Sequence, residues 1–263
     1  MDYATIYSKV KPVLEMASKA VLGVYSSGDP ETKSKNDGSP VTRADYASNI
    51  IITGELEKLF PDIPIITEES PLLNYESRKN YDLVWILDPL DGTKEFLNRT
   101  GEFCISLALI SHNRPVAGFI LAPTTNELWY AVKGKGAYCE INNSTARLPL
   151  VKPGRKLLIT RSRSHHNETE KIWIDKLAEK YPSEIIIQGS AIKFCRLAGG
   201  NASVYPKFGS INEWDVAAGD IILSEAGGII LETESGERPL YNKESLKQPH
   251  FVAWAAGTEE FRA

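Results

Sequence analysis

Residues 85–96 read Trp-Ile-Leu-Asp-Pro-Leu-Asp-Gly-Thr-Lys-Glu-Phe. An apolar run ends here at Asp88, a second aspartate follows at Asp91, and Gly92 and Thr93 come directly after it. Carboxylates are costly to bury without a partner. Two of them at the end of an apolar strand therefore predict a partner that offsets this cost.

The composition is that of a globular protein without a nucleic-acid partner. The chain has 263 residues, of which 42% are hydrophobic and 24% are charged, so it can bury a large core. Its net charge of -4 gives no basic footprint for a nucleic-acid polymer. A small anionic ligand would have to be held by locally placed cations or by metal ions.

The cysteines and the apolar runs predict a cytoplasmic protein. Cys104, Cys139 and Cys195 lie in apolar contexts and are odd in number, which fits reduced thiols better than a disulfide framework. The N-terminus carries an acid at position 2 and does not resemble a secretory signal. The apolar runs are shorter than the ~20 residues of a membrane span, so we expect no integral membrane segment and leave peripheral association with the inner membrane open.

The first part of the chain predicts an N-terminal α+β subdomain over residues 1–150. Apolar residues at helical spacing predict an amphipathic helix over 3–26, and a second helix runs from Thr42 or Ala44 to Leu59. Short β-branched and apolar runs then predict strands over 63–67, 82–87, 104–110, 116–122, 127–132 and 137–141. Their short connections indicate an antiparallel sheet with helices packed on it.

Beyond residue 150 the pattern changes to alternating strands and helices. Strands are predicted over 156–160, 184–188, 202–205, 228–232 and 251–256, with helices near 167–180, 190–199 and 214–225. This pattern indicates a C-terminal α/β subdomain over residues 151–263. We expect two packed subdomains with the active site between them.

Four acids follow apolar segments or begin helices: Glu68, Asp88, Asp91 and Asp215. Strand ends converge in layered folds, so these carboxylates can meet, and together they would repel strongly without a cation. Mg²⁺ is held by a few carboxylates together with substrate phosphates. The sequence therefore predicts a magnesium site, to which the turn at Asp88–Asp91 can also bring the carbonyl of Leu90.

Gly92 and Thr93 provide groups that suit a phosphate. Gly92 allows a sharp turn and close approach of a ligand, and a helix beginning at Thr93 would point its free N–H groups at an anion. The alternative is a surface turn before a helix cap, which the presence of Glu68 and of the segment Trp214-Asp215 makes less attractive.

Three motifs together resemble those of the inositol monophosphatase superfamily of metal-dependent, lithium-sensitive phosphatases. They are Glu68-Glu69, the run from Asp88 to Thr93, and the run Trp-Asp-Val-Ala-Ala-Gly over 214–219. Further runs resemble the branch of CysQ-like 3'(2'),5'-bisphosphate nucleotidases: SPVTRAD over 39–45, Lys-Glu-Phe over 94–96, and 189–209. The resemblance implies a layered α-β-α-β-α sandwich of the sugar-phosphatase type.

The resemblance also implies an activity and a set of roles. The activity is Mg²⁺-dependent hydrolysis of the 3'(2')-phosphate of adenosine 3'(2'),5'-bisphosphate to AMP and phosphate by a metal-activated water, as in sulfur assimilation. Two or three Mg²⁺ ions and a monomer or homodimer are implied. The metal ligands would be Glu68, Asp88, the Leu90 carbonyl, Asp91 and Asp215. The catalytic residues would be Asp45, Thr93, Glu68 and Asp91. The substrate-binding residues would be Gly92, Thr93, Ser190, Lys193, Lys207, His165 and Asp215.

Other functions stay open at this point. Another branch of the same superfamily would act on inositol phosphates or fructose bisphosphate. A phosphatase of the haloacid dehalogenase type also carries Asp-Gly-Thr, but its two aspartates stand two apart rather than three. A non-catalytic phosphate or metal sensor would keep the same site. Glu213, beside Trp214, is either a ligand contact or a solvated side chain.

Overall fold

The computed structural model describes residues 4–34, 40–71, 73–152, 154, 156–163 and 167–262. Within these ranges the helices are α1 (Ala4–Ser27), α2 (Arg43–Leu59), α3 (Tyr75–Arg78), α4 (Thr93–Leu97), α5 (Glu168–Lys180), α6 (Ile192–Gly199) and α7 (Ala217–Glu225). A short 3₁₀ turn spans Glu259–Phe261.

The strands of the same ranges fall into three sheets. A small ribbon pairs β1 (Lys33–Ser34) with β2 (Pro40–Val41). The large sheet contains β3 (Ile65–Thr67), β4 (Leu83–Asp91), β5 (Cys104–Ser111), β6 (Arg114–Ala122), β7 (Glu127–Val132), β8 (Gly136–Ile141) and β9 (Ser144–Arg147). The small sheet contains β10 (Leu157–Arg161), β11 (Ser183–Ile187), β12 (Val204–Lys207), β13 (Ile229–Glu232) and β14 (Phe251–Trp254).

The large sheet is antiparallel except at one edge. Strands β4 to β9 follow one another in sequence order as antiparallel neighbours, as expected from their short connections. At the edge, β3 pairs with β4 in parallel, with Thr67 opposite Leu87. The carboxyl ends of these two strands therefore meet, which brings the residues after them to one place.

Alternating side chains of the large sheet pack against helices on both faces. Trp85 and Leu87 point into a core shared with α1 and α2. Val84 and Ile86 point into the opposite core, which is shared with α6, α7 and one face of the small sheet. The other face of the small sheet packs on α5 through Leu157 and its neighbours. The layers are thus α-β-α-β-α, and the predicted fold class is confirmed.

The small sheet is mixed. Strand β10 pairs in parallel with both β11 and β12, whereas β14 pairs antiparallel with β12 and β13. The alternating strands and helices predicted after residue 150 are all present. The division into subdomains at residue 150 stays a prediction.

The short elements that were not predicted are the ribbon of β1 and β2, strand β9, helix α3 and the 3₁₀ turn. Strand β9 is exposed at each of its residues, so no apolar alternation marks it. Helix α3 spans a single turn and begins at an Asn74 cap in a polar segment. Among the described residues, no helix is both long and apolar enough to cross a membrane.

Candidate active site

A cleft of about 450 Å³ is lined by both acidic and basic side chains. The acids among its lining residues include Glu68, Asp91 and Asp215, and the bases include Lys193 and Lys207. Elements of the large sheet, the small sheet and the helices between them all contribute. The chain therefore brings residues far apart in sequence to one polar cavity.

Three carboxylates converge beside this cleft. Glu68, Asp88 and Asp215 each place one oxygen so that the three oxygens lie within 4.8 Å of one another. Glu68 follows β3 and donates its N–H to the carbonyl of Leu87, which sets it next to Asp88 on the paired strand β4. Asp215 comes from the segment before α7. A donor set of three carboxylates fits a hard divalent cation such as Mg²⁺.

The ladder between β4 and β5 is irregular between Asp88 and Asp91. Within this irregularity, the Leu90 N–H donates to Oδ1 of Asp88 at 2.9 Å. The hydroxyl of Thr93 donates to the carbonyl of Leu90 at 3.3 Å. The turn that Pro89 stiffens thus ties both aspartates, the Leu90 carbonyl and Thr93 into one local unit.

Burial and the repulsion between like charges raise the pKa values of the aspartates in this cluster. Burial, followed by repulsion from Glu68, Asp91 and Asp215, raises the pKa of Asp88 well above its usual range. Burial and the neighbouring Asp91 and Glu68 raise the pKa of Asp215 to about 8. Burial raises the pKa of Asp91 to about 6, although Lys193 and the Ala191 N–H oppose this rise. A cation among these groups would allow them all to ionise at neutral pH.

Asp91 faces a different partner from the other three acids. Its Oδ2 accepts the N–H of Ala191, just before α6. The thiol of Cys104 also points toward this oxygen at 3.9 Å. Asp91 therefore lies beside the cluster of three and links it to the basic side chains of α6.

Asp45 and Thr93 lie within hydrogen-bond distance of each other. Asp45 is buried at the start of α2, where its Oδ2 accepts from the N–H and the hydroxyl of Thr42 at 2.8 and 2.6 Å. Its Oδ1 accepts from the hydroxyl of Thr93 at 3.2 Å. This chain of hydrogen bonds can orient a hydroxyl or a water at the edge of the cleft and take up a proton.

Gly92 occupies a position that other residues could not. Its φ of 93° lies in the left-handed region, and a Cβ there would lie 3.1 Å from the Glu102 carbonyl and 3.2 Å from the Cβ of Ser190. Helix α4 begins directly after it at Thr93, as the sequence predicts. Gly92 and Thr93 both line the cleft.

Two buried lysines give the cleft its positive charge. Lys193 on α6 and Lys207 at the end of β12 are each 5% exposed. The ammonium of Lys193 donates to the carbonyl of Ser190 at 2.6 Å and lies 5.1 Å from the ring centroid of Tyr205. Burial lowers the pKa of both lysines, while nearby carboxylates, Asp91 for Lys193 and Glu170 for Lys207, act against it.

The structure brings most of the predicted site residues together. Those that line the cleft are Glu68, Asp91, Gly92, Thr93, Ser190, Lys193, Lys207 and Asp215. Asp45, Asp88 and the Leu90 carbonyl reach them through the contacts described above. His165 lies outside the described residues.

Several polar residues of the cleft were not assigned from the sequence. Glu95 lines it and is buried, although it stands in the quoted stretch Lys-Glu-Phe. Arg163 also lines it and donates to both oxygens of Glu102 at 2.9 and 2.8 Å. Glu102 comes from a loop 61 residues earlier in the chain, so no local sequence pattern marks the pair.

Neither interpretation of Glu213 is correct. The side chain is buried and does not line the cleft, so it is not solvated, and an ion pair with Lys243 compensates its charge at 2.6 Å. Its partner lies 30 residues further along the chain, a separation that sequence pattern does not reveal.

Comparisons with known proteins agree with this geometry. The sequence profile of the inositol monophosphatase family matches residues 2–258. The 3'(2'),5'-bisphosphate nucleotidase CysQ of Shigella flexneri is 38% identical over 236 residues, which cover 89% of this chain and 94% of that protein. The protein of the same name from Escherichia coli K12 is 37% identical over 238 residues, with 89% and 94% covered.

Solved structures show the same fold. The crystal structure of CysQ from Bacteroides thetaiotaomicron, a bacterial member of the inositol monophosphatase family, matches with a TM-score of 0.86. The two chains are 34% identical, and the match covers 95% of this chain and 97% of that one.

Proposed function

The chain belongs to the inositol monophosphatase family, and we propose that it is a Mg²⁺-dependent 3'(2'),5'-bisphosphate nucleotidase. It hydrolyses the 3'(2')-phosphate of adenosine 3'(2'),5'-bisphosphate and releases AMP and phosphate. The observation that carries the proposal is the cleft itself, in which carboxylates suited to a cation and two buried lysines suited to an anion line one cavity. The similarity to the CysQ nucleotidases supports this substrate class.

The acids of the cleft are proposed to hold Mg²⁺ through Glu68, Asp88, Asp91, Asp215 and the Leu90 carbonyl. When bound, Mg²⁺ lowers the pKa of a coordinated water and neutralises charge on the leaving oxygen. The convergence of Glu68, Asp88 and Asp215, which place one oxygen each within 4.8 Å of one another, supports this assignment. Two or three ions at a time are proposed, as the resemblance of the motifs implies.

Asp45 and Thr93 are proposed to orient the attacking water. The Thr93 hydroxyl can accept a hydrogen bond from this water while it donates to Oδ1 of Asp45. The water oxygen then attacks phosphorus and gives up a proton to Asp45, the ester P–O bond breaks, and the ribose oxygen leaves and takes up a proton from solvent. The water is the nucleophile, so no phosphoenzyme is expected.

The remaining cleft residues are proposed to hold the substrate. The amides of Gly92 and Thr93 hold the phosphate that is cleaved, and Asp215 lies beside the leaving oxygen. Ser190, Lys193 and Lys207 hold the second phosphate, which is recognised and not cleaved. Phosphate is a suitable partner for a buried ammonium group, because each relieves the desolvation of the other. His165 is proposed to lie near the same phosphate.

Three further features are proposed on the resemblance. Residues 1–150 and 151–263 form the two subdomains, and the large and small sheets lie respectively within them. The protein is a monomer or a homodimer. Its location is cytoplasmic, with peripheral association with the inner membrane left open.

Phosphate release by the purified protein tests the proposed function. With Mg²⁺ present, we compare adenosine 3',5'-bisphosphate, inositol 1-phosphate and fructose 1,6-bisphosphate at equal concentration. The expected result is a strong preference for the bisphosphorylated nucleotide. Preference for inositol or fructose phosphates would retain the metal chemistry and overturn the substrate. Tight nucleotide binding without hydrolysis of any of the three would favour a sensor.

A further inference from the structure

Glu213 lies two residues before Asp215, and its carboxylate is 0% exposed. One oxygen accepts the N–H of Asn242 at 2.5 Å. The other accepts the N–H of Lys243 at 3.2 Å and its ammonium at 2.6 Å. Both oxygens of this buried carboxylate are therefore held by donors of one segment, which we call the 240–248 loop.

Arg78 fixes the 240–248 loop from the other side. This arginine is 3% exposed and donates to Oδ1 of Asn242 at 2.8 Å and to the carbonyls of Lys243 and Glu244 at 2.6 and 2.8 Å. The side-chain amide of Asn242 returns a hydrogen bond to the carbonyl of Arg78 at 2.9 Å. The loop is thus held between a buried cation from α3 and a buried anion from the 211–215 segment.

The main chain of the 211–215 segment also pairs with the loop. The N–H of Glu213 donates to the carbonyl of Leu246 at 2.8 Å, and the N–H of Gln248 donates to that of Ile211 at 2.9 Å. Within the segment, the N–H of Asn212 donates to Oδ2 of Asp215 at 2.8 Å. The orientation of the Asp215 carboxylate therefore depends on where the loop holds the backbone at Asn212 and Glu213.

We infer that Glu213 is a positioning residue for Asp215, and through it for cation binding in the cleft. The inference rests on the proposed function, because it takes Asp215 as a ligand of Mg²⁺. Glu213 touches neither the cation nor the substrate. It holds the segment that aims Asp215 at Glu68 and Asp88, and ligands must be held within a fraction of an ångström for a cation to bind well.

A glutamine at position 213 would disturb this arrangement. Replacing one oxygen by an NH₂ group turns an acceptor into a donor, which then faces the N–H of Asn242 or the donors of Lys243. The half-buried ammonium of Lys243 also loses its counter-charge. The segment and the loop are then expected to move apart, and Asp215 with them.

Glu140 provides a matched control at a remote site. Glu140 is also a buried glutamate that pairs with a lysine, and it is 7% exposed. It accepts hydrogen bonds from the ammonium of Lys11 and the hydroxyl of Tyr7. It lies on β8 and does not line the cleft. E213Q and E140Q therefore make the same chemical change to a buried glutamate that pairs with a lysine. Of the two substituted positions, only Glu213 lies in the segment that carries Asp215.

The test is a calorimetric titration of Mg²⁺ into the wild-type protein, E213Q and E140Q, with thermal denaturation of each. Positioning by Glu213 predicts that E213Q weakens Mg²⁺ binding about tenfold, the size of effect known for residues that orient metal ligands. E140Q should lose stability with no change in Mg²⁺ affinity. For E213Q, turnover at saturating Mg²⁺ should recover and the KM for the nucleotide should stay unchanged.

The outcomes separate the inference from the proposed function. If the wild-type protein binds Mg²⁺ and E213Q binds it equally well, Glu213 is only structural and the inference is wrong. If the wild-type protein binds no Mg²⁺, the proposed metal site fails and the inference fails with it. Should E213Q not fold, K243M serves, because it removes the ammonium and keeps both backbone donors on Glu213. K243M should weaken Mg²⁺ binding as well, and unchanged affinity would overturn the inference.

Discussion

The acidic and the basic side chains of the cleft are both buried, but their surroundings act differently on their pKa values. Asp88 and Asp215 are surrounded by further carboxylates, so burial and repulsion both raise their pKa values. Lys193 and Lys207 are also buried, but each has carboxylates near it that oppose the loss of its proton. A cation among the acids would allow them to ionise together, whereas the carboxylates near the two lysines favour the protonated ammonium groups, which suit an anion.

The buried charges on the two sides of the cleft are therefore compensated from different sources. Burying these acids together lowers the free energy of unfolding of the metal-free protein. Among the lysines, the chain supplies part of the compensation through Glu170 and Asp91. Substitutions on the two sides should therefore have different effects on stability and on activity.

The largest effect is expected for D88N. Loss of a proposed ligand should cost at least about 100-fold in hydrolysis, more than the loss of a residue that only orients a ligand. The metal-free protein should become more stable at pH 8, because an amide neither carries a charge among the other acids nor needs a proton to stay neutral, and its oxygen can still accept from the Leu90 N–H. Phosphate release and thermal denaturation without Mg²⁺ measure the two effects.

D220N is the control for this comparison. Asp220 is equally buried, but it is paired, since it accepts from the hydroxyl of Tyr241 at 2.9 Å and lies 3.4 Å from Arg114. D220N should lower the free energy of unfolding by about 3 kcal/mol and leave hydrolysis largely intact. Near-normal hydrolysis in D88N would mean that the acids do not hold the metal.

The next largest effect is expected for T93V. It removes the hydroxyl that joins Asp45 to the edge of the cleft, so turnover should fall about 100-fold while Mg²⁺ affinity stays the same. The control is T258V, which removes a buried hydroxyl that donates to the Ala255 carbonyl at 2.7 Å. Thr258 is not among the residues that line the cleft. Equal turnover in T93V and T258V would show that Thr93 does not act on the water.

The basic side of the cleft is tested by K207M. The KM for adenosine 3',5'-bisphosphate should rise about tenfold, because a hydrogen bond from a charged group to the second phosphate is lost. The KM for adenosine 3'-monophosphate, which lacks that phosphate, should change little. K156M, at an exposed lysine paired with Glu184, is the control. An equal rise for both substrates would contradict the assignment of Lys207 to the second phosphate.

The smallest effect concerns pH. The folded-state pKa values of Asp91 (about 6) and Asp215 (about 8) lie above the ordinary value of 3.8, so the folded, metal-free protein binds more protons than the unfolded chain. Its free energy of unfolding should therefore fall as the pH rises from 3.8 toward 8.

Mg²⁺ must displace these protons, so its affinity should increase with pH. The rise in Tm on adding Mg²⁺ should accordingly be larger at pH 8 than at pH 6, by a few degrees at most. Thermal denaturation at the two values measures it. A smaller rise at the higher pH would show that the shifted carboxyls do not bind the metal.

The acids and the elements that carry them could be predicted because they lie close in sequence to regular apolar patterns. Asp88 follows the apolar run of β4, and Glu68 follows the shorter run of β3. In each case the local sequence determines the local structure.

The contacts that could not be predicted join residues far apart in the chain. Gly134 and Gly136 both donate their N–H groups to Glu225, 91 and 89 residues away. Arg78 reaches Asn242 over 164 residues, and Glu213 reaches Lys243 over 30. Their side chains show no periodicity, and only the packed layers bring them together. The positioning of Asp215 therefore emerges from the fold and not from its own motif.

A crystal structure with Mn²⁺ and adenosine 3',5'-bisphosphate would show whether one cleft holds a cation site and a separate anion site. Mn²⁺ accepts the same oxygen ligands as Mg²⁺ and is located by its anomalous scattering. We expect Mn²⁺ among Glu68, Asp88 and Asp215, and the second phosphate on Lys193 and Lys207. Mn²⁺ bound elsewhere, or a second phosphate away from both lysines, would contradict this expectation.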